Sequence, residues 1–82
     1  MQGFGLRFKE NIMPLVVAPI GKSLIVKRIL TDDKTKKHLE SLGITIGSTL
    51  SIISASGGSV ICLVKDGRLA LDKNLATKIF VA

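Results

Sequence analysis

Few residues of this chain can do acid–base, nucleophilic or metal chemistry: one His (His38), one Cys (Cys62) and six carboxylates among 82 residues. Nucleophilic catalysis needs a Ser or Cys beside a base that a third group orients. His38 follows Lys36 and Lys37 and precedes Glu40, a setting that reads as a solvated surface histidine. Cys62 lies inside the apolar run from Val60 to Val64, where a free thiol behaves as a small core residue. The carboxylates are scattered, mostly beside Lys or Arg, and form no acid–base pair. One Cys and one His cannot supply the four ligands of a structural zinc site, and one Cys cannot close an internal disulfide. Gly43 and Gly47 follow a helical pattern instead of opening one, and no Lys-Ser or Lys-Thr pair follows Gly57-Gly58, so no phosphate loop is present. The expectation is no catalytic residue, no metal site, no cofactor and no enzyme.

Charge is the feature with functional content. Lys and Arg number 12 against 6 Asp and Glu, a formal charge of +6. Lys22, Lys27, Arg28, Lys34, Lys36 and Lys37 place half of those cations in one short window whose only acids are Asp32 and Asp33. A strand and helix packed side by side would turn them into one positive face. The candidate partner-binding residues are therefore Lys27, Arg28, Lys36, Lys37 and His38. Phosphates, anionic lipid or an acidic protein would all suit such a face. Nucleic-acid barrels add aromatic platforms for base stacking. Here there is no Trp or Tyr, and the three Phe sit at positions 4, 8 and 80. A small basic nucleic-acid-binding barrel is thus the alternative, behind a protein-docking module.

Something must position that face. With 11 Leu, 10 Ile and 6 Val, the chain is far from the composition of disordered segments and fits one small domain. Residues 1–12 carry glycines and scattered charges and read as an N-terminal extension, with a strand through Phe4, Leu6 and Phe8 as the ordered alternative. Residues 13–82 form the domain. The longest apolar stretch, Ile12 to Ile20, is broken by Pro14 and Pro19 and falls short of the ~20 residues a membrane helix needs. Nothing at the N-terminus reads as a signal peptide, so a cytoplasmic location is expected.

The pattern predicts a strand over Ser23 to Leu30, apolar on both faces as in a small closed barrel. It predicts a helix over Thr31 to Leu42, with Thr31 or Asp32 as the N-terminal cap. Gly43 fits the left-handed position after that helix, and Ile44 can close onto Leu39. Strands follow around Thr49–Ser54, Ser59–Lys65, Arg68–Leu71 and Lys78–Val81. Gly57-Gly58 and Asp66-Gly67 read as hairpin turns, the latter with the signature of type I′, and Lys73 to Ala76 as one tight turn. The fold expected is mostly β: a small SH3-like barrel of about five short antiparallel strands with one short α-helix. Its short aliphatic edges would permit a weak homodimer.

The ordered string from Thr35 to Val81 resembles the ferrous iron transport protein A family (FeoA). The family has a basic helix ending in a Leu-Leu-Gly signature and a second glycine four residues on, matched here by Lys36, Lys37, Leu39, Leu42, Gly43 and Gly47. Arg68-Leu69-Ala70-Leu71, Ala76 and Ile79-Phe80-Val81 stand where the family has its later strands and turn, and Pro14-Leu15 and Gly21 match its opening. Many members have Pro where this chain has Ile46. The resemblance covers residues 13–82. It implies a cytosolic accessory protein of ferrous iron uptake that works with FeoB, a membrane permease carrying a cytosolic G domain. Contact with the membrane would be indirect, through that partner, and docking would use the basic face or an apolar groove. Similar barrels occur in metal-dependent repressors, but the helix-turn-helix of a repressor is missing.

Overall fold

The computed structural model describes residues 11–65 and 67–82. Of the expected extension, only Asn11 and Ile12 fall within that range. Six strands form one antiparallel sheet: β1 (Met13–Pro14), β2 (Ser23–Ile29), β3 (Thr49–Ser56), β4 (Ser59–Val64), β5 (Gly67–Leu71) and β6 (Ile79–Val81). Their order across the sheet is β1-β6-β2-β3-β4-β5. A 3-10 turn over Leu15–Val17, one helix, α1 (Asp33–Ser41), and a single turn, α2 (Lys73–Ala76), complete the chain. The mostly β expectation holds with six strands instead of about five. The extra one is two residues long and contains Pro14, which an edge strand tolerates because no amide is needed there.

β2 organises the sheet by changing partner midway. Ser23 to Ile25 pair with β3, and Val26 to Ile29 pair with β6. The Ile25 amide donates to the Ala82 carbonyl at 2.9 Å and its carbonyl accepts from the Ala82 amide at 3.0 Å. The β6 register slips between Val26 and Arg28, leaving Lys27 as the extra residue of a bulge. Strict alternation would carry the inward positions Leu24 and Val26 on to Arg28. The bulge resets the phase, so Ile29 is buried and Arg28 faces water. The strand is therefore one-sided: Ile25 is on the solvent face, where two apolar faces were expected.

The β3–β4 hairpin turns on Gly57 and Gly58, both with positive φ (60° and 91°), between the paired Ser56 and Ser59. That is the type I′ requirement. The β4–β5 connection differs from its expectation. Val64 pairs with Gly67, so Gly67 belongs to the ladder and is not a central turn residue; Asp66 lies outside the described residues. The inward side chains of β2, β3, β4 and β6 meet Leu15, Leu39, Ile44, Leu71 and Ala76 in one apolar core with no buried polar or charged residue among those described. Burying that area is the main favourable term in a domain this small.

Candidate functional site

α1 is a local construction, and its two ends place the charged residues. Asp32 caps the start: its carboxylate accepts from the Thr35 amide at 3.2 Å and from the Thr31 hydroxyl at 3.3 Å. The Thr35 side-chain and backbone hydrogen bonds hold the Asp32 carboxyl below its ordinary pKa. At the other end Leu42 is the C-cap. The Gly43 amide donates to the Glu40 carbonyl (3.0 Å) and the Ile44 amide to the Leu39 carbonyl (2.9 Å), the two bonds of a Schellman motif. Gly43 supplies the left-handed φ of 95° that this turn requires.

Leu39 is the buried anchor of α1, and it fixes where every other side chain of the helix goes. Successive residues rotate by about 100°, so Lys36 lies some 60° from Leu39, Lys37 about 160° away and His38 about 100° away on the other flank. The exposures agree: Lys36 is half-buried, Lys37 and His38 are exposed. Three consecutive helical residues cannot form one face. Of the expected cluster, Lys36 borders a concave surface; Lys37 points to water and His38 to the opposite side. Lys27 sits half-buried at the bulge of β2, and Arg28 is exposed on the next residue.

The concave surface beside Lys36 is a groove of about 340 Å³ lined by Ile29, Lys36, Glu40, Thr45 and Ile46. Ile29 comes from the end of β2, and Lys36 and Glu40 from one edge of α1. The remaining wall is a tight turn over Thr45–Ser48. The Ser48 amide donates to the Thr45 carbonyl at 3.0 Å, and Gly47 carries a φ of 94°, the pattern of a type II turn. The Ser48 hydroxyl donates to the same carbonyl (2.6 Å) and accepts from the Thr45 amide (3.1 Å). Two backbone bonds then pin the turn to β2, from the Gly47 amide to the Val26 carbonyl (2.8 Å) and from the Val26 amide to the Ser48 carbonyl (2.9 Å). Ile46 is thereby held outward, 63% exposed. Position two of a type II turn favours Pro, which accounts for the Pro of the resembled pattern; here the same position carries an aliphatic side chain.

The sequence did not single out Ile29, Glu40, Thr45 or Ile46 as site residues. The available signal was the departure at Ile46, a large apolar residue at the centre of a turn. The side chains that line the groove offer apolar contact and charge. Among the described residues no three of His, Cys, Asp and Glu converge as metal ligands. Cys62 is fully buried, and desolvation pushes its thiol pKa up, away from the thiolate that reacts or binds metal. Phe80, the one Phe among the described residues, is half-buried in β6. No helix among the described residues is long and apolar enough to cross a membrane.

Residues 13–82 match the family described as FeoA domain. A protein of Methanocaldococcus jannaschii provisionally named Fe(2+) transport protein A is 40% identical over 68 residues, which cover 83% of each chain. Among solved structures, a crystal structure of an iron uptake regulatory protein (FeoA) superposes with a TM-score of 0.79 at 29% identity, covering 87% of this chain and 96% of that one. A manganese-dependent transcriptional repressor shares the fold, with a TM-score of 0.80 at 21% identity, but this chain covers only 45% of its length. The expected SH3-like barrel architecture is thus shared with complete small domains and with one part of larger proteins.

Proposed function

The chain belongs to the FeoA domain family, and from that premise we propose that it is an accessory protein of ferrous iron uptake that docks on the cytosolic G-domain region of a FeoB-type permease. The observation that carries this reading is the match over the whole of residues 13–82, together with the relative named for Fe(2+) transport. On this reading the chain serves iron uptake by contact with the transporter. Docking on a permease brings it to the inner face of the membrane through that partner.

On the same reading the groove beside α1 is the contact surface. Ile46 and Ile29 offer apolar surface, and Lys36 offers charge at its edge. Lys27, Arg28 and Lys37 add positive charge that steers an acidic partner at long range, and His38 lies on the other flank of α1. The test is capture of full-length, detergent-solubilised permease at low salt by the wild-type chain and by Lys36→Glu and Lys37→Glu. Wild-type capture, weakened more by Lys36→Glu than by Lys37→Glu, is the expected result. No capture by the wild type at low salt overturns the docking reading, and equal effects of the two variants overturn the groove as its site.

A further inference from the structure

A second surface lies on the outside of the sheet. Val60 and Cys62 of β4 point into the core at 1% and 0% exposure, which turns Ile61 and Leu63 outward, 40% and 47% exposed. The register sets Leu63 between Ser51 and Arg68, and Ile61 between Ser54 and Ala70. Residues directly opposite in a ladder share a face, so Ile61 stands between two small residues and Leu63 between Ser51 and the long side chain of Arg68, and both aliphatics stay substantially exposed. The bulge in β3 makes Ile53 and Ser54 together oppose Ile61, and Ile53 adds a third exposed aliphatic at 39%. A sheet face of this kind is normally buried under another layer.

Charge selects the occupant. β3, β4 and β5 contain Arg68 as their one charged residue and no carboxylate; Asp66, in the β4–β5 connection, lies outside the described residues. Arg68 is directly opposite Leu63, a cation beside the aliphatic stripe. A second copy of a chain with a formal charge of +6 would be repelled from this surface. β5 is the edge strand, where an extended strand would pair, whereas the exposed aliphatics project from the face of β3 and β4, where a helix packs as a covering layer.

We infer that the outer face of β3, β4 and β5 docks an acidic amphipathic helix of a protein partner, its aliphatic stripe on Ile53, Ile61 and Leu63 and its carboxylates toward Arg68. This deepens the docking reading above, on which it rests for the identity of the partner. The test uses two helical peptides with the same leucine stripe, one flanked by Glu and one by Lys, and full-length detergent-solubilised permease. The variants are Ile61→Thr/Leu63→Thr, which keep the β-branched preference of a strand, and Arg68→Glu, each checked for a wild-type melting transition. The wild type should bind the Glu peptide in preference to the Lys peptide. Both variants should bind the Glu peptide at least about ten-fold more weakly, a difference of ~1.4 kcal/mol, and Arg68→Glu should gain affinity for the Lys peptide. Equal binding of the two peptides, or an unchanged Ile61→Thr/Leu63→Thr variant, overturns the inference. Permease capture lost in Lys36→Glu but intact in Ile61→Thr/Leu63→Thr overturns the sheet face and leaves the docking reading standing. Glu-peptide binding without any permease capture supports the sheet face and overturns the partner. Tighter binding to phosphatidylserine vesicles than to the Glu peptide, lost in the same variant, replaces the helix with a membrane and overturns the inference.

Discussion

The Ile44 amide donates to the Leu39 carbonyl at 2.9 Å, and both side chains are fully buried. A backbone hydrogen bond thus joins two residues that belong to the same buried core at the end of α1. Leu39 is the buried residue of that helix, so it is also the attachment of the helix to the barrel. Leu39→Ala should cost ~2–5 kcal/mol, a large share of the stability of a small domain. Urea unfolding measures the loss. Hydrogen exchange should show the amides of α1 losing protection before those of β3 and β4.

Gly43→Ala isolates the backbone term at the same corner. A Cβ at Gly43 would meet no atom within 4 Å, yet φ is 95°. The expected loss is therefore ~1–2 kcal/mol from the left-handed conformation alone. Gly43→Asn, a residue that tolerates this region, should recover part of it. Urea midpoints of the three proteins check the order.

The Asp32 cap makes α1 sensitive to acid. Its carboxyl is held below the ordinary value of 3.8 in the folded chain, chiefly by the Thr35 side chain and then by the Thr35 amide. A group depressed on folding binds protons more readily when unfolded, so its contribution is present above about pH 4 and is lost as pH falls through the folded value. Asp32→Asn keeps a good cap and removes that dependence. Urea midpoints between about pH 2 and 5 should fall less steeply for the variant than for the wild type.

Cys62 should behave as a reporter of unfolding. It is completely buried and its thiol is pushed up by desolvation, so a thiol reagent meets little thiolate and no access. Labelling at mildly alkaline pH should be slow in the native protein and accelerate with urea in step with loss of structure. Rapid labelling without urea would contradict the burial of β4.

What the sequence made legible is what short-range chemistry decides. The Asp32 cap, the Gly43 stop, the Ile44–Leu39 closure and the Gly57-Gly58 turn all depend on residues a few positions apart, and all are present. The bulges at Lys27 and Ile53 were not legible, because a bulge is defined by a partner strand that the local pattern does not contain. Without the one at Lys27, Arg28 would point inward and Ile29 outward. The run Val60 to Val64 is apolar at every position, so alternation could not announce that Ile61 and Leu63 face outward. For the site, helical geometry separates Lys36, Lys37 and His38, a division already implicit in their being consecutive. The groove wall at Ile46 depends on how the turn is bound to Val26, which lies far away in sequence.

The partner change within β2 also sets a timetable. A chain emerging from the ribosome presents Val26 to Ile29 well before residues 79–82, which complete their pairing. The β3–β4 and β4–β5 hairpins close short loops and can form as soon as they are made, while the β2–β6 ladder waits on a loop of some fifty residues. Closing long loops costs entropy before it returns contacts, and it slows folding. Until then the half of β2 that ends at Ile29, beside the groove, keeps an unpaired edge toward β6.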